Sequence, residues 1–392
     1  MVKVGSAALA LGVAAAGLWI GTRTFGVYAA RGNVELAASL NGGDAAIMAA
    51  RSRRLLETGK TGDAVRVAIQ ALRRDPTAIT AVQTIGLAAQ TAGDGARAAR
   101  LLSYAHSLSR RDLQTHLWAI EYYVARGDTQ RVLAEYDLAL RTSPSAQELL
   151  FPILGGAMAE PVVARGLIAR LGHGPLWRDA FLAFVAGDNR VVPATAVEFL
   201  KKARAADITA PSASLATLVA RSLDAREFRT AWAAYTLKRP GADPRRVRDP
   251  QFRALPAEPA PFDWTLSNDG SIVAQSVEQD GSGRLEVEVG SGAAGLAAQQ
   301  VQMLPPGGYQ LVVDGDGVSQ SASLAWSLTC RDGPELSKLT MSGEAAKRYM
   351  GSTFVIPASC RVQTLRLTAD AGESPAGLRG TIRRVVLVSS AR

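Results

Sequence analysis

Three glycines, Gly59, Gly93 and Gly127, recur at intervals of 34 residues, and each separates two apolar stretches of helical periodicity. A fixed period of roughly 20 to 50 residues is typical of proteins built from stacked repeats. One helix pair of this length cannot bury the apolar faces of both helices, so neighbouring pairs must stack. The period therefore predicts an α-helical solenoid, whose long surface favours binding over catalysis.

Small residues and prolines keep the register of these glycines, because closely packed helices leave room only for small side chains. The repeat-defining residues are Gly59, Ala64, Ala71 and Pro76, then Gly86, Gly93, Ala98 and Ala105, then Gly127 and Pro144. This pattern resembles the tetratricopeptide family over about residues 45 to 146. The resemblance implies antiparallel helix pairs that bind protein partners along a superhelical surface.

Helical periodicity continues over residues 147–238, but the register of the glycines is lost. Stretches that contain glycine or proline interrupt it at 172–175, 187–192 and 206–211. Because such stretches end helices, we expect roughly three further, degenerate hairpins. The tetratricopeptide-like α-solenoid is thus predicted to cover residues 26–238.

An apolar run of eighteen residues, 4–21, lies between Lys3 and Arg23. A helix needs about 20 apolar residues to cross the hydrocarbon core of a bilayer. We expect an uncleaved signal anchor over residues 1–25, which spans a bacterial inner membrane once. Two alternatives stay open, namely a signal peptide cleaved after the small-residue motif at 27–29 and a buried helix of a globular domain.

The pattern changes after residue 238, where six prolines between 240 and 261 exclude a helix. We predict a proline-rich linker over residues 239–260. Beyond it, apolar residues alternate with polar ones, as at Leu285, Val287 and Val289. Many short alternating segments separated by turns indicate a β-sandwich. The predicted fold class is therefore multidomain α + β, with a β-sandwich over residues 261–392.

Four segments of this β region resemble the galactose-binding-like jelly rolls of carbohydrate-binding modules in their layout. They are 261–264 (Pro-Phe-Asp-Trp), 304–309 (Leu-Pro-Pro-Gly-Gly-Tyr), 326–330 (Trp-Ser-Leu-Thr-Cys) and 357–360 (Pro-Ala-Ser-Cys). The resemblance implies a β domain that binds polysaccharide. An anchor, a tetratricopeptide array and such a jelly roll in one chain are similar to accessory proteins of bacterial exopolysaccharide assembly.

Exposed aromatic rings are the side chains with which such modules contact sugars, because a ring offers an apolar face. The candidate glycan contacts are Tyr349, Phe354 and Trp264, although core packing is the favoured interpretation for Trp264. Trp326 shares its strand face with apolar neighbours and is expected in the core. The run Asp-Gly-Asp-Gly at 314–317 predicts an ordinary turn, with a calcium site as the alternative.

The chain has two cysteines, Cys330 and Cys360, both in the β region. Two cysteines in one domain favour a structural disulfide and hence an oxidising compartment. We therefore place the bulk of the chain in the bacterial periplasm. Two buried free thiols in a cytoplasmic domain remain the alternative, because sequence separation does not give the distance between α-carbons.

The chain has 44 lysines and arginines and 35 aspartates and glutamates. Residues 257–392 carry 11 basic and 14 acidic side chains, so the positive excess lies in residues 1–256. Arginines cluster at 51–54, 73–74, 110–111 and 245–248. These clusters are solvated helix faces or a strip that faces anionic lipid or an acidic polymer. Nucleic acid is a poor candidate as a partner, because no aromatic residues interleave with the arginines as a stacking platform and the expected periplasmic compartment lacks it.

Catalytic motifs are missing from the sequence. Its three histidines, His106, His116 and His173, have no metal-ligand spacing, and there is no nucleophile motif or phosphate loop. We predict no catalytic residue, no cofactor and no metal. Three functions remain: a non-catalytic envelope scaffold in polysaccharide assembly or export, a general protein-interaction adaptor of the envelope, and a glycan-modifying enzyme whose acids come from distant strands.

Overall fold

The computed structural model describes residues 33–279, 281–316, 318, 322–342 and 346–390. The chain divides into two compact units. The first comprises Met1–Ile153, Glu160–Arg170 and Pro175–Trp177, and the second comprises Leu154–Ala159, Leu171–Gly174 and Arg178–Arg392. The predicted anchor at residues 1–25 lies outside the described residues. Within the described residues, no helix has the length and apolar character to cross a membrane.

Thirteen α-helices form the N-terminal part of the described chain. They are α1 (Val34–Asn41), α2 (Ala45–Glu57), α3 (Thr61–Arg74), α4 (Ile79–Thr91), α5 (Gly95–Leu108), α6 (Leu113–Val124), α7 (Thr129–Thr142), α8 (Ala146–Ala157), α9 (Pro161–Gly172), α10 (Arg178–Gly187), α11 (Pro193–Ala205), α12 (Ser212–Asp224) and α13 (Phe228–Lys238). The starts of α2, α4 and α6 follow the period of the three glycines, and so do the starts of α3, α5 and α7. The predicted tetratricopeptide-like hairpins are confirmed.

The turn inside each of these hairpins depends on a left-handed glycine. Gly59, Gly93 and Gly127 have φ angles of 77°, 81° and 69°, a conformation that only glycine adopts without steric cost. In the second hairpin the next residue, Asp94, accepts a hydrogen bond of 3.0 Å from the backbone N–H of Arg97 and so caps α5. The short turn thus ends one helix and begins the next.

Small residues let the two helices of a hairpin come close together. The predicted alanines Ala64, Ala71, Ala98 and Ala105 are all buried, and Pro76 and Pro144 lie in the turns after α3 and α7. At Gly86 of α4, an added Cβ would lie 2.7 Å from Cγ of Leu102 on α5. Leu102 is itself buried, so only glycine fits at this contact.

Six further helices, α8 to α13, follow the three regular hairpins. Three degenerate hairpins, as expected from the sequence, would consist of six helices. Turns lie at the predicted breaks. The starts of α10 and α12 again follow the period of the glycines. Arg226 lies two residues before α13, where Gly93 lies relative to α5, and it has a φ of 60°. Because arginine stands here in place of glycine, the sequence does not reveal this turn. The backbone nevertheless has a left-handed residue at the same position as in the regular hairpins. The Arg226 guanidinium forms an ion pair with Asp332 at 3.3 Å.

Ten β-strands in the described residues form two five-stranded sheets. They are β1 (Thr265–Leu266), β2 (Ile272–Gln279), β3 (Ser282–Val289), β4 (Ala294–Gln302), β5 (Gly307–Asp316), β6 (Ser323–Cys330), β7 (Glu335–Met341), β8 (Ala346–Ile356), β9 (Gln363–Asp370) and β10 (Leu378–Ser389). The sheet orders are β1-β4-β9-β6-β7 and β2-β3-β10-β5-β8, with antiparallel pairing throughout. This confirms the predicted β-sandwich and shows that it is antiparallel.

One hydrophobic core joins the inner faces of the two sheets. Leu285 and Val287 from β3 lie in the same buried cluster as Trp326 and Leu367 from the other sheet. The alternation in β3, with Leu285, Val287 and Val289 buried, follows the predicted pattern. The expected core position of Trp326 is confirmed, since its side chain has no exposed surface.

Cys330 and Cys360 form a disulfide, which confirms the expected pairing. Cys330 ends β6, Cys360 lies shortly before β9, and their α-carbons are 5.6 Å apart. The bond closes a loop with a sequence separation of 30 residues. The bond therefore connects the two ends of the segment that contains β7 and β8.

Residues 239–260 contain neither helix nor strand, as the prolines predict, but they are packed rather than free. Phe252 is fully buried against the β-sandwich core. Arg248 donates hydrogen bonds to the carbonyls of Phe262 and Val301. Burial lowers the pKa of Arg248 to about 10. The prolines predict the loss of regular structure. The packing depends on the side chains of Phe252 and Arg248, which no pattern in the sequence distinguishes.

We predict that Gly86→Ala destabilises the helical array, although alanine is the better helix former. The new methyl group must displace the buried Leu102 side chain, which costs about 1 to 3 kcal/mol and exceeds the helix-propensity gain of about 1 kcal/mol. Chemical unfolding followed by circular dichroism measures the change.

Gly156→Ala on α8 is the matched control, because a Cβ there meets no atom within 4 Å. This variant should be stabilised by roughly 0.5 to 1 kcal/mol through helix propensity alone. Equal stabilisation by both substitutions would show that α4 and α5 do not approach as closely as described.

Candidate functional site

A cavity of about 550 Å³ lies in the first unit, where the end of α4, the start of α5 and the second half of α6 meet. Its lining consists of Gln90, Gly95, Ala96, Ala98, Ala99, Trp118, Glu121, Tyr122, Ala125 and Arg126. Small side chains from α5 form most of one side, while larger side chains from α6 form the other. The cavity spans two consecutive hairpins, so it exists only because the repeats stack.

Aromatic rings on α6 form the larger wall of this cavity. Trp118 and Tyr122, one helical turn apart, have ring centroids 4.9 Å apart. The guanidinium carbon of Arg126 lies 3.4 Å from the centroid of Tyr122, and its Nη1 donates to the Tyr122 carbonyl at 3.1 Å. With Glu121 beside Arg126, the rim carries both signs of charge. The arrangement can hold an apolar side chain of a partner polypeptide next to hydrogen-bonding groups.

Sequence reasoning did not single out these aromatic residues. The available signal was the four-residue spacing of Trp118, Tyr122 and Arg126, which places them on one face of a helix. A second contact of this kind joins Arg131 and Tyr123, with the guanidinium carbon 5.3 Å from the ring centroid. At this hairpin two arginines outside the four clusters therefore lie against aromatic rings.

The arginine clusters do not form one uniform surface. Arg74 donates to the carbonyl of Gly43, and Arg53 donates to the side chain of Gln83 at 2.9 Å. Arg51 is paired with Glu35 at 3.3 Å, and Arg248 is half-buried. Most arginines of the four clusters are exposed, as expected of solvated helix faces, whereas Arg53 and Arg248 are partly enclosed by their hydrogen-bond partners.

Two of the three candidate glycan contacts are buried in the β-sandwich. Trp264 is 2% exposed, and its Nε1 donates to the carbonyl of Asp249 at 3.0 Å. Tyr349 is 6% exposed, and its hydroxyl donates to the carbonyl of Ser342 at 3.2 Å. Neither ring offers a face to solvent. Trp264 therefore takes the core position that the sequence favoured.

Phe354, the third candidate, is half-buried and packs on Tyr309 with ring centroids 6.3 Å apart. It lines a cavity of about 700 Å³ on the sheet that contains β5, β8 and β10. Its neighbours there are Gly307, Gly308, Thr353, Val355, Ser389 and Ser390. Phe354 is thus the one predicted contact that borders an open, partly polar concavity.

A second cavity of the β-sandwich, of about 570 Å³, lies beside β3 and β10. Its polar lining includes Glu286 and Glu288. Glu286 forms an ion pair with Arg284 at 2.7 Å. Glu288 forms one with Arg379 at 3.3 Å. The arginines can donate hydrogen bonds to hydroxyl groups of a ligand, and the glutamates can accept hydrogen bonds from them.

The predicted turn at 314–317 is wrong for its first three residues, because β5 continues through Asp316. Arg348 of the neighbouring strand β8 donates to Asp314 at 2.7 Å and lowers the pKa of this carboxyl. Asp316 is paired with Arg383 at 2.6 Å. These cross-strand ion pairs extend the strand, and they engage both carboxylates of the alternative calcium site. Gly317 lies outside the described residues.

No family model matches this sequence, and no curated protein matches it either. A carbohydrate-binding module, TmCBM61, solved in complex with β-1,4-galactotriose, is similar at 15% identity over 37% of this chain and 97% of that one, with a TM-score of 0.27. A CBM4 structure is similar at 11% identity over 37% and 99%, with a TM-score of 0.27. PilF of Pseudomonas aeruginosa is similar at 17% identity over 50% and 77%, with a TM-score of 0.23. Each match involves part of this chain, and none assigns it to a family.

Proposed function

We propose that this protein is a non-catalytic scaffold of the bacterial envelope, anchored in the inner membrane with its bulk in the periplasm. The helical array binds protein partners, and the β-sandwich binds polysaccharide during its assembly or export. The observation that carries the proposal is the cavity between α4, α5 and α6. It combines an aromatic wall with a charged rim on a surface that repeats of this kind use for association.

Trp118→Ala should abolish capture of the partner, because aromatic anchors in a pocket supply most of the binding energy of an interface. The test is cross-linking in cells followed by purification of the full-length protein in detergent and identification of the captured proteins. We expect at least a tenfold loss of the captured partner, corresponding to about 1.4 kcal/mol or more.

Tyr104→Ala is the matched control, since Tyr104 lies on α5 with 46% of its surface exposed and does not line the cavity. Equal capture by the wild type, Trp118→Ala and Tyr104→Ala would place the binding surface elsewhere.

The β-sandwich is proposed to retain polysaccharide in the concavity beside Phe354. Full-length protein in detergent should be retarded in native gels that contain alginate or dextran, as an acidic and a neutral probe. Phe354→Ala should restore most of the mobility, because the ring supplies the apolar face at this cavity. Leu296→Ala, at an exposed position of the other sheet, serves as the control and should leave retardation unchanged.

The burial of Trp264 and Tyr349 favours a second candidate, a protein-interaction adaptor whose β-sandwich is structural. The decisive result is the absence of retardation by either polysaccharide, measured on protein with a normal melting temperature. This result would support the adaptor and contradict the glycan-binding part of the proposal.

The Cys330–Cys360 bond supports the periplasmic placement, because disulfides persist in oxidising compartments. When cells are lysed directly into denaturant that contains an alkylating reagent, the two cysteines, which are buried in the folded protein, should react only after reduction. Alkylation without reduction would place the β-sandwich in the cytoplasm. The chain has only two cysteines, so Ser352→Cys at an exposed site of β8 provides a positive control for labelling.

A further inference from the structure

Three side chains from two consecutive hairpins meet inside the first unit. His106 lies on α5, His116 on α6 and Glu135 on α7, and their ligating atoms all lie within 4.8 Å of one another. Nε2 of His106 is 3.0 Å and Nδ1 of His116 is 2.7 Å from the same oxygen, Oε2 of Glu135. Three different helices therefore direct nitrogen and oxygen atoms to one point.

These distances are close to those between ligands of one metal ion. Ligand atoms at about 2.0 to 2.2 Å from an ion, at angles of about 90° to 110°, lie roughly 2.8 to 3.6 Å apart. The two imidazole rings are nearly perpendicular, with an interplanar angle of 88° and centroids 5.3 Å apart. The rings therefore approach the carboxylate from different directions, as ligands around one centre do.

His116 also has the outer hydrogen bond that fixes a ligating imidazole. Its Nε2 donates to the backbone carbonyl of Arg110 at 3.0 Å, so Nδ1 is the nitrogen directed at the cluster. Histidines that bind metals usually donate their second ring N–H to a carbonyl or carboxylate, which sets the tautomer and orients the ring.

Burial and charge at this point favour a cation. The side chain of His116 has no exposed surface, that of Glu135 is 9% exposed and that of His106 is 27% exposed. Asp112 adds a second negative charge near His116. Its Oδ1 accepts from the backbone N–H of Thr115 at 2.9 Å, which holds the carboxylate in place. The partly exposed side at His106 leaves room for water as a further ligand.

We propose that His106 Nε2, His116 Nδ1 and Glu135 Oε2 bind one divalent transition-metal ion of the zinc class. Two imidazoles and one carboxylate suit zinc and its neighbours, whereas magnesium and calcium prefer oxygen ligands alone. Three protein ligands plus water complete a four-coordinate site. The ion joins the second repeat hairpin to the third, directly behind the wall formed by α6. This inference is independent of the proposed function.

Isothermal titration of full-length, EDTA-treated protein without a purification tag should show one equivalent of Zn²⁺ bound. Co²⁺ should give visible absorption bands typical of a site with nitrogen and oxygen ligands, while Mg²⁺ and Ca²⁺ should not bind. At free Zn²⁺ of about 100 times the dissociation constant, the ratio of folded to unfolded array should rise about 100-fold, which appears as a higher melting temperature.

His106→Ala and Glu135→Gln should each weaken Zn²⁺ binding by at least about tenfold. Glu135→Gln keeps the shape and the hydrogen-bond acceptor, so it tests the metal while preserving the packing. His173→Ala, which changes the one histidine outside the cluster, should bind Zn²⁺ like the wild type. Binding that survives both cluster substitutions, or no binding by the folded wild type, would overturn the proposal and leave a cluster held by hydrogen bonds alone.

Discussion

The close approach of the two helices in each hairpin is the constraint on which the helical array depends. A left-handed glycine permits the short turn, an aspartate caps α5 and α7, and small residues such as Gly86 bring α4 and α5 into contact. Ala98, one of these buried small residues, also lines the candidate binding cavity, where Ala96 and Ala99 on α5 leave a space that they cannot fill. The surface opposite them on α6 supplies the aromatic rings. A requirement of folding thus produces the concavity that the proposed function uses.

Several arginines stabilise this fold by hydrogen bonds to backbone carbonyls, a role that the number of arginines in the sequence does not reveal. Arg221 on α12 donates to the carbonyls of Ala186 at 2.6 Å and Val191 at 2.8 Å, on both sides of the turn between α10 and α11. Arg204 donates in the same way to the carbonyl of Leu237 at the end of α13. The planar guanidinium suits this task because it offers several donors in a fixed geometry. Part of the arginine excess behind the formal charge of +9 therefore stabilises turns and helix ends.

Buried polar contacts also explain why the predicted linker is part of the second unit. Asp263 is 6% exposed and accepts a hydrogen bond of 2.7 Å from the hydroxyl of Tyr235 on α13. Burial and this hydrogen bond raise the pKa of Tyr235, so its proton stays on the donor. Lys238 and Arg239 lie 3.8 and 3.7 Å from the same carboxylate. Removal of one partner from such a cluster leaves a buried charge uncompensated, so the last helix and the start of the β region stabilise each other.

The sequence predicted the features of this fold that depend on local periodicity. The spacing of the glycines identified three hairpins, and the alternation of apolar residues identified strands such as β3 and β6, because both patterns reflect which face of an element is buried. The sequence favoured the core position that Trp264 occupies, but it did not predict the burial of Tyr349, which lies in a segment whose pattern does not fix its direction. It also did not show the cluster of two histidines and Glu135, whose members lie on three separate helices. Such contacts are set by how the hairpins stack, and stacking leaves no fixed spacing in the sequence.

Helix α6 connects the two features that were missed. His116 lies on its inner side, without exposed surface and hydrogen-bonded to Glu135, while Trp118 and Tyr122 lie on the side that borders the cavity. The same helix therefore supports both the buried polar cluster and the aromatic wall of the cavity. A wall that is already ordered loses less conformational entropy when a partner binds. The packing of the second repeat against the third thus places both features on one element.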